Sequence, residues 1–255
     1  MFIGVEKNSI LDYPGKMSYV VFFEKCLLAC KYCHNRKHKD NELLWWTKIE
    51  EDIEANREFI DAVVFTGGEP LLYKNLNNWV KIIKKKNLLV GLHTSGVTSK
   101  HTKDTSNLIL DFDWVGIDYK APTKELFKQI TGTDFFDQNI SKIQQLAKNF
   151  RNFEVRTTFT SDLAIKDTFD SMQKFLVENH IYTWYIQKCY GYKDADIVTK
   201  MWPATNSEGQ HTPANGFYAE TKPFNLKDFL RLQKPILNIR IRTKAGEYSY
   251  DEYIK

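Results

Sequence analysis

Cys26, Cys30 and Cys33 lie within eight residues, spaced C-x3-C-x2-C. Three thiolates on one short loop can grip three corners of a [4Fe–4S] cubane. The fourth iron then has no protein ligand and stays open to a substrate, whereas an electron-transfer cluster is normally held by four cysteines. Zinc is the competing chemistry, with His34 as a fourth ligand. Against it, the adjacent side chains of Cys33 and His34 converge poorly on one tetrahedral ion, and the two spaced ligand pairs of zinc fingers are missing. Three cysteines this close together are too dense for ordinary core thiols. Cys189 stands alone far downstream and reads as a small core residue, with a place in the lining of a site as the other option.

Strands must present these residues. Ser18–Phe23 is a short apolar and aromatic run that ends just before the first cysteine, which predicts a buried strand. Further strands are predicted at 61–65, 88–93, Trp114–Asp118, Phe153–Phe159 and 182–187. Helices are predicted at 48–59, 76–86, 139–149 and 168–179. In 76–86 the apolar Leu76, Trp79, Val80, Ile82 and Ile83 oppose Lys81, Lys84, Lys85 and Lys86, which gives the helix a wet face. Strands alternating with helices imply parallel strands joined by right-handed crossovers. Such a set closes into a barrel, a partial barrel or an open doubly wound sheet. Residues 190–223 break the pattern with scattered glycines and prolines, as a functional or mobile loop does. A helix at 226–233 and an alternating strand at 236–242 follow.

The cysteine motif, with Tyr32 before its last cysteine, is followed one β/α unit later by Thr66-Gly67-Gly68-Glu69-Pro70. Together they resemble the radical-SAM superfamily. Ser9-Ile10-Leu11-Asp12-Tyr13-Pro14-Gly15 and Tyr32-Cys33-His34-Asn35 resemble the activating enzymes of glycyl-radical enzymes. The nearest match is to the activating proteins of anaerobic ribonucleoside-triphosphate reductase. The resemblance implies an α/β fold, a partial (β/α)6 TIM-like barrel over 1–190, with 191–255 packed on the same domain. It implies a [4Fe–4S] cluster on Cys26, Cys30 and Cys33, and S-adenosylmethionine (SAM) on the open iron. Reductive cleavage of SAM would give methionine and a 5′-deoxyadenosyl radical, which takes a hydrogen atom from a glycine of a partner enzyme.

The same resemblance places the backbone carbonyls of Gly67, Gly68 and Glu69 at the methionine amino group, Tyr32 near the adenine and His34 beside the cluster. Thr94 and Ser95 would touch the ligand. Asp118-Tyr119-Lys120 is similar to the family's Asp-x-Lys element, with Lys120 on the SAM carboxylate. Arg156 would reach the carboxylate or ribose, and Gln187 would line the site. Two departures stand out. His93 occupies a position where related activases often carry an aspartate that helps to hold a monovalent cation. Lys25-Cys26-Leu27 replaces the usual Gly-Cys-Asn. Every candidate falls at or beyond the C-terminal end of a predicted strand, except Arg156 inside one, and barrel enzymes build their sites on that face.

The implied partners are a glycyl-radical enzyme and a low-potential electron donor such as flavodoxin or ferredoxin. Competing readings are activation of a pyruvate formate-lyase-type enzyme, a small-molecule enzyme similar to 7-carboxy-7-deazaguanine synthases, and a non-catalytic zinc-binding module. The net charge of +4 shows no arginine-rich stripe for nucleic acid. No apolar run reaches membrane-spanning length, and the first residues lack the apolar core of a signal peptide, so a cytoplasmic protein is expected.

Overall fold

The strands form where the sequence is apolar on both faces, as parallel strands covered on both sides require. In β2 (Ser18–Phe23), Tyr19, Val21 and Phe23 pack outward under the helices, while Val20 and Phe22 face the barrel interior. The computed structural model describes residues 2–33, 44–99, 109, 111–189, 204–205, 211–212, 226–231, 233, 235–243 and 245–255.

The chain opens with β1 (Phe2–Ser9), which pairs antiparallel with β2. After β2 come α1 (Trp46–Ala55), β3 (Ala62–Gly67), α2 (Leu76–Lys85), β4 (Leu89–Thr94) and β5 (Trp114–Asp118). Then follow α3 (Lys124–Thr131), α4 (Phe136–Asn149), β6 (Phe153–Phe159), α5 (Lys166–Glu178) and β7 (Thr183–Lys188). Strands β2 to β7 are consecutive parallel neighbours. Beyond them lie the two-residue pair β8 (Ala204–Thr205) and β9 (His211–Thr212), then α6 (Leu226–Arg231), β10 (Asn238–Thr243), β11 (Gly246–Ser249) and α7 (Tyr250–Ile254). Among the described residues no helix is long and apolar enough to cross a membrane.

The expected partial barrel is present, and its parallel set is longer than expected. β10 pairs parallel with β7, from Asn238 opposite Thr183 to Arg242 opposite Gln187, so the sheet continues through residues after 190. β11 then closes the far edge antiparallel to β10. β1, α3, β8, β9, β11 and α7 are additions to the predicted elements. Most of 190–223, expected to be irregular, lies outside the described residues.

The barrel interior is plugged at one level by Tyr13, Val20, Ala62, Val64 and Trp114. Tyr13, in the turn after β1, packs its ring 5.4 Å from that of Trp114. His93 sits over the same indole at 5.3 Å, on the floor of the space above it. The C-terminal ends of the parallel strands open into that space.

Candidate active site

A cavity of about 480 Å³ lies at the C-terminal ends of the strands. Cys26, Cys30 and Cys33 line it together with Tyr32, Gly67, Gly68, Thr94, Ser95, Asp118, Lys120, Arg156 and Gln187. Residues scattered over more than 160 positions of sequence thus meet in one chamber. Glu69 is outside that lining, and His34 lies outside the described residues.

The cysteine loop is clamped from two sides by backbone. On one side, Ala29 N–H donates to the Thr131 carbonyl at 2.7 Å and Lys31 N–H to Ile130 at 3.0 Å. Both carbonyls belong to the end of α3, a helix capped by Thr123 and stopped by Gly132 in a left-handed conformation. On the other side, Gly68 N–H donates to Phe23 O and Glu69 N–H to Lys25 O, each at 2.7 Å. This approach demands glycine. A Cβ at Gly68 would sit 2.2 Å from the Lys25 carbonyl oxygen, and Gly67 has a φ of +97°. The glycine pair is therefore a bearing surface for the cysteine loop as well as part of the cavity wall.

Glu69 turns away from the cavity. Its carboxylate accepts from Thr94 Oγ1 at 2.6 Å, from Ser95 Oγ at 2.6 Å, from Ser95 N–H at 2.8 Å and from Leu71 N–H at 3.2 Å. Burial raises its pKa, and these four donors pull against that rise. It ties the end of β3 to the end of β4.

The opposite wall is built from charges. Lys120 Nζ donates to Asp118 Oδ2 at 2.8 Å, and Arg156 Nη2 lies 3.6 Å from Asp118 Oδ1. Burial works to raise the Asp118 carboxyl, but Lys120 and Arg156 outweigh it and hold it below the usual carboxylate range. Burial alone would push Lys120 down; Asp118 and then Tyr32 and Cys30 hold it well above its ordinary value. Its ammonium lies 5.5 Å from the Tyr32 ring centroid, which links this wall to the cysteine loop. The Arg156 guanidinium rests on the bare backbone of Gly116, and its Nε is buried with no hydrogen-bond partner.

Sequence reasoning missed Arg242. It lies next to Gln187 in register and lines the cavity with Thr243 and Thr158. Its guanidinium donates to Glu154 at 2.9 and 3.4 Å and to Glu247 at 2.9 Å, and stacks 4.8 Å from the Tyr185 ring. The alternation of Ile239, Arg240, Ile241 and Arg242 was a legible sign that one face of this strand is polar. Asp12 was quoted only within its motif, yet it also lines the cavity. His93 Nε2 donates to the Asp12 carbonyl at 2.8 Å, and burial, followed by the Arg156 charge, keeps this imidazole well below its ordinary pKa.

The donor set fits an iron–sulfur cubane with one open corner. Three thiols, and no other described cysteine, line one cavity, which is the donor set of a cubane that leaves one iron free. Around Cys26, burial and then the Glu69 charge push the thiol up to about 12, the reverse of what a bound cation does. The Radical SAM superfamily profile matches residues 20–176. The chain belongs to the radical SAM superfamily.

Radical SAM relatives narrow the comparison. An assigned glycyl-radical enzyme activating enzyme of Methanocaldococcus jannaschii is 31% identical over 186 residues, 70% of this chain and 76% of that protein. The pyruvate formate-lyase 1-activating enzyme of Escherichia coli is 27% identical over 135 residues, 50% of this chain and 54% of that enzyme. A protein of Pyrococcus abyssi assigned as a GTP 3′,8-cyclase is 32% identical over 132 residues, 50% of this chain and 42% of its own length. Among solved structures, Streptococcus suis SuiB superposes with a TM-score of 0.57 at 14% identity, covering 86% of this chain and 47% of SuiB, which shows the shared fold. The chain thus spans about half the length of the E. coli enzyme and of SuiB.

Proposed function

We propose that this radical SAM enzyme activates a glycyl-radical enzyme, and that its partner is an anaerobic ribonucleoside-triphosphate reductase. The observation that carries the reading is the single cavity in which three thiols, a glycine turn and an Asp–Lys–Arg wall face one another. The similarity to the M. jannaschii protein assigned as a glycyl-radical enzyme activating enzyme, over 70% of the chain, supports the activase class. The Ser9–Gly15 lead-in and the Tyr-Cys-His-Asn sequence support the reductase.

Cys26, Cys30 and Cys33 would hold the cluster, which, when bound, supplies one electron to cleave S-adenosylmethionine into methionine and a 5′-deoxyadenosyl radical. The protein's residues position that cofactor. The Gly67–Gly68 turn offers backbone to the methionine amino group. Lys120 and Arg156 offer cations to its carboxylate, and the Arg156 Nε–H, 4.0 Å from Glu154 Oε1, makes no hydrogen bond in the fold. Tyr32 offers an aromatic face to the adenine. Thr158, Gln187 and Arg242 line the side of the cavity farthest from the cysteines in strand order. There the glycine of the partner would yield one hydrogen atom, leaving 5′-deoxyadenosine and a stored glycyl radical. A low-potential carrier such as flavodoxin or ferredoxin would supply the electron.

Anaerobic incubation of the reduced, reconstituted protein with S-adenosylmethionine and the reductase tests this. The expected result is a glycyl-radical EPR doublet matched by 5′-deoxyadenosine. Cofactor cleavage with no doublet would end the reductase assignment. The similarity to the P. abyssi protein motivates one competing arm, in which GTP replaces the reductase. A GTP-derived product there would favour small-molecule chemistry.

A further inference from the structure

Asn139 projects from α4 into the seam between β4 and β5, where it is completely buried. Its Nδ2 donates to the Ser95 carbonyl at 2.8 Å and to the Asp118 carbonyl at 2.7 Å. One amide thus joins the ends of two strands, and each end carries residues that line the cavity. Its Oδ1 is buried with no hydrogen-bond partner, so the side chain occupies this place at a cost that its two donated bonds must outweigh. The same helix grips the loop after β4 at two more points. Gln138 Oε1 accepts from Thr98 N–H at 3.1 Å, and Lys142 packs so closely on Gly96 that a Cβ there would come within 2.7 Å.

We propose that Asn139 is a positioning residue for the radical SAM reaction. It holds the Thr94–Ser95 turn and the Asp118–Lys120 turn in fixed relation, and so sets the separation of two walls of the cofactor site. Glu69 fixes the Thr94–Ser95 turn from the β3 side, and Asn139 fixes it from the β5 side. With both in place, a chain of hydrogen bonds runs from the cysteine-loop clamp to the Lys120 ammonium. The claim about catalysis rests on the functional reading above; the claim about positioning stands on the geometry alone.

Two variants and two readouts test it. Asn139→Leu keeps the branched outline at a larger volume and removes both N–H donors, and Asn139→Ser keeps one hydroxyl donor. In the cofactor-free protein, hydrogen–deuterium exchange should quicken in peptides covering 94–99 and 118–121 and stay unchanged in β2 and β3. Unchanged exchange at both turns in a folded variant would overturn the positioning claim, whatever the protein's activity. In the reconstituted protein, KM for S-adenosylmethionine should rise about tenfold in Asn139→Leu and less in Asn139→Ser, with iron content and kcat held. If both KM values match the wild type, the catalytic part falls. If the wild type releases no 5′-deoxyadenosine, the functional reading fails and the exchange result still decides the positioning claim. If Asn139→Leu does not fold, Asn139→Ser decides both parts by the same criteria.

Discussion

Gly68 lines the cavity and Gly116 lies beneath Arg156, which lines it; both are places where a side chain has no room, but what fills the room differs. At Gly68 the neighbour is the Lys25 carbonyl, a backbone atom of the cysteine loop. At Gly116 it is the tip of the Arg156 side chain, 2.7 Å from where a Cβ would stand. One wall of the cavity is thus set by main chain against main chain, and the opposite wall by charged side chains against one another. Main chain in a clamped loop cannot yield. A guanidinium end can, at the expense of its own placement. On the proposed function, the first wall would govern whether the cluster is held, and the second how the cofactor is gripped.

That division can be broken by experiment. The largest effect is expected from Gly68→Ala, whose new methyl must displace the loop that bears all three candidate ligands; iron content after reconstitution should fall to background. Gly4→Ala, with nothing within 4 Å, is the control and should load normally. Next comes Lys120→Met, which strips Asp118 of its close partner at 2.8 Å. A hydrogen bond to a charged group is worth up to about 3 kcal/mol, so losing the proposed Lys120 contact to the cofactor carboxylate should cost up to roughly a hundredfold in affinity. Here iron content should be normal and cofactor affinity, measured by equilibrium binding, should collapse.

Gly116→Ala should be milder. Arg156 can swing aside, so KM for S-adenosylmethionine should rise about tenfold with iron content and stability nearly unchanged. If Gly116→Ala loses iron as Gly68→Ala does, the two walls are not separable. The smallest effect concerns His93 on the cavity floor. Folded His93 is held well below its ordinary value of 6.5, so below about that pH the unfolded chain binds a proton that the folded chain refuses. Stability should therefore fall as pH drops through this range, and His93→Gln should flatten part of that slope in urea unfolding curves at about pH 7.5 and about pH 5.5.

The same contrast explains what could be read from sequence. The main-chain wall is written in contiguous residues, 26–33 and 66–70, because a loop and a turn on neighbouring strands pack locally. The strands β2, β5 and β6 were also legible to the residue, since the apolar runs of β2 and β5 and the β-branched run of β6 are bounded sharply. The charged wall is dispersed. Lys120 and Arg156 entered through family resemblance, and Arg242 did not enter at all. Its strand was visible in the Ile–Arg alternation, but only three-dimensional pairing with β7 reveals that it faces the cavity. Glu69 was legible as part of a motif while the direction of its carboxylate was not, because that depends on Thr94 and Ser95 one strand away. α3 was overlooked although Thr123 and Gly132 mark both its ends; two turns are too short for periodicity to register. β1 was overlooked because its middle, Glu6 to Asn8, is exposed and breaks the alternation.

The central claim is an open-cornered cluster on Cys26, Cys30 and Cys33. Metal and sulfide analysis of the anaerobically reconstituted protein, combined with 5′-deoxyadenosine release under strong reductant, tests it most directly. The account predicts about four irons and four sulfides per chain, lost together with 5′-deoxyadenosine in Cys30→Ala. Zinc at about one per chain with no iron and no 5′-deoxyadenosine would contradict it.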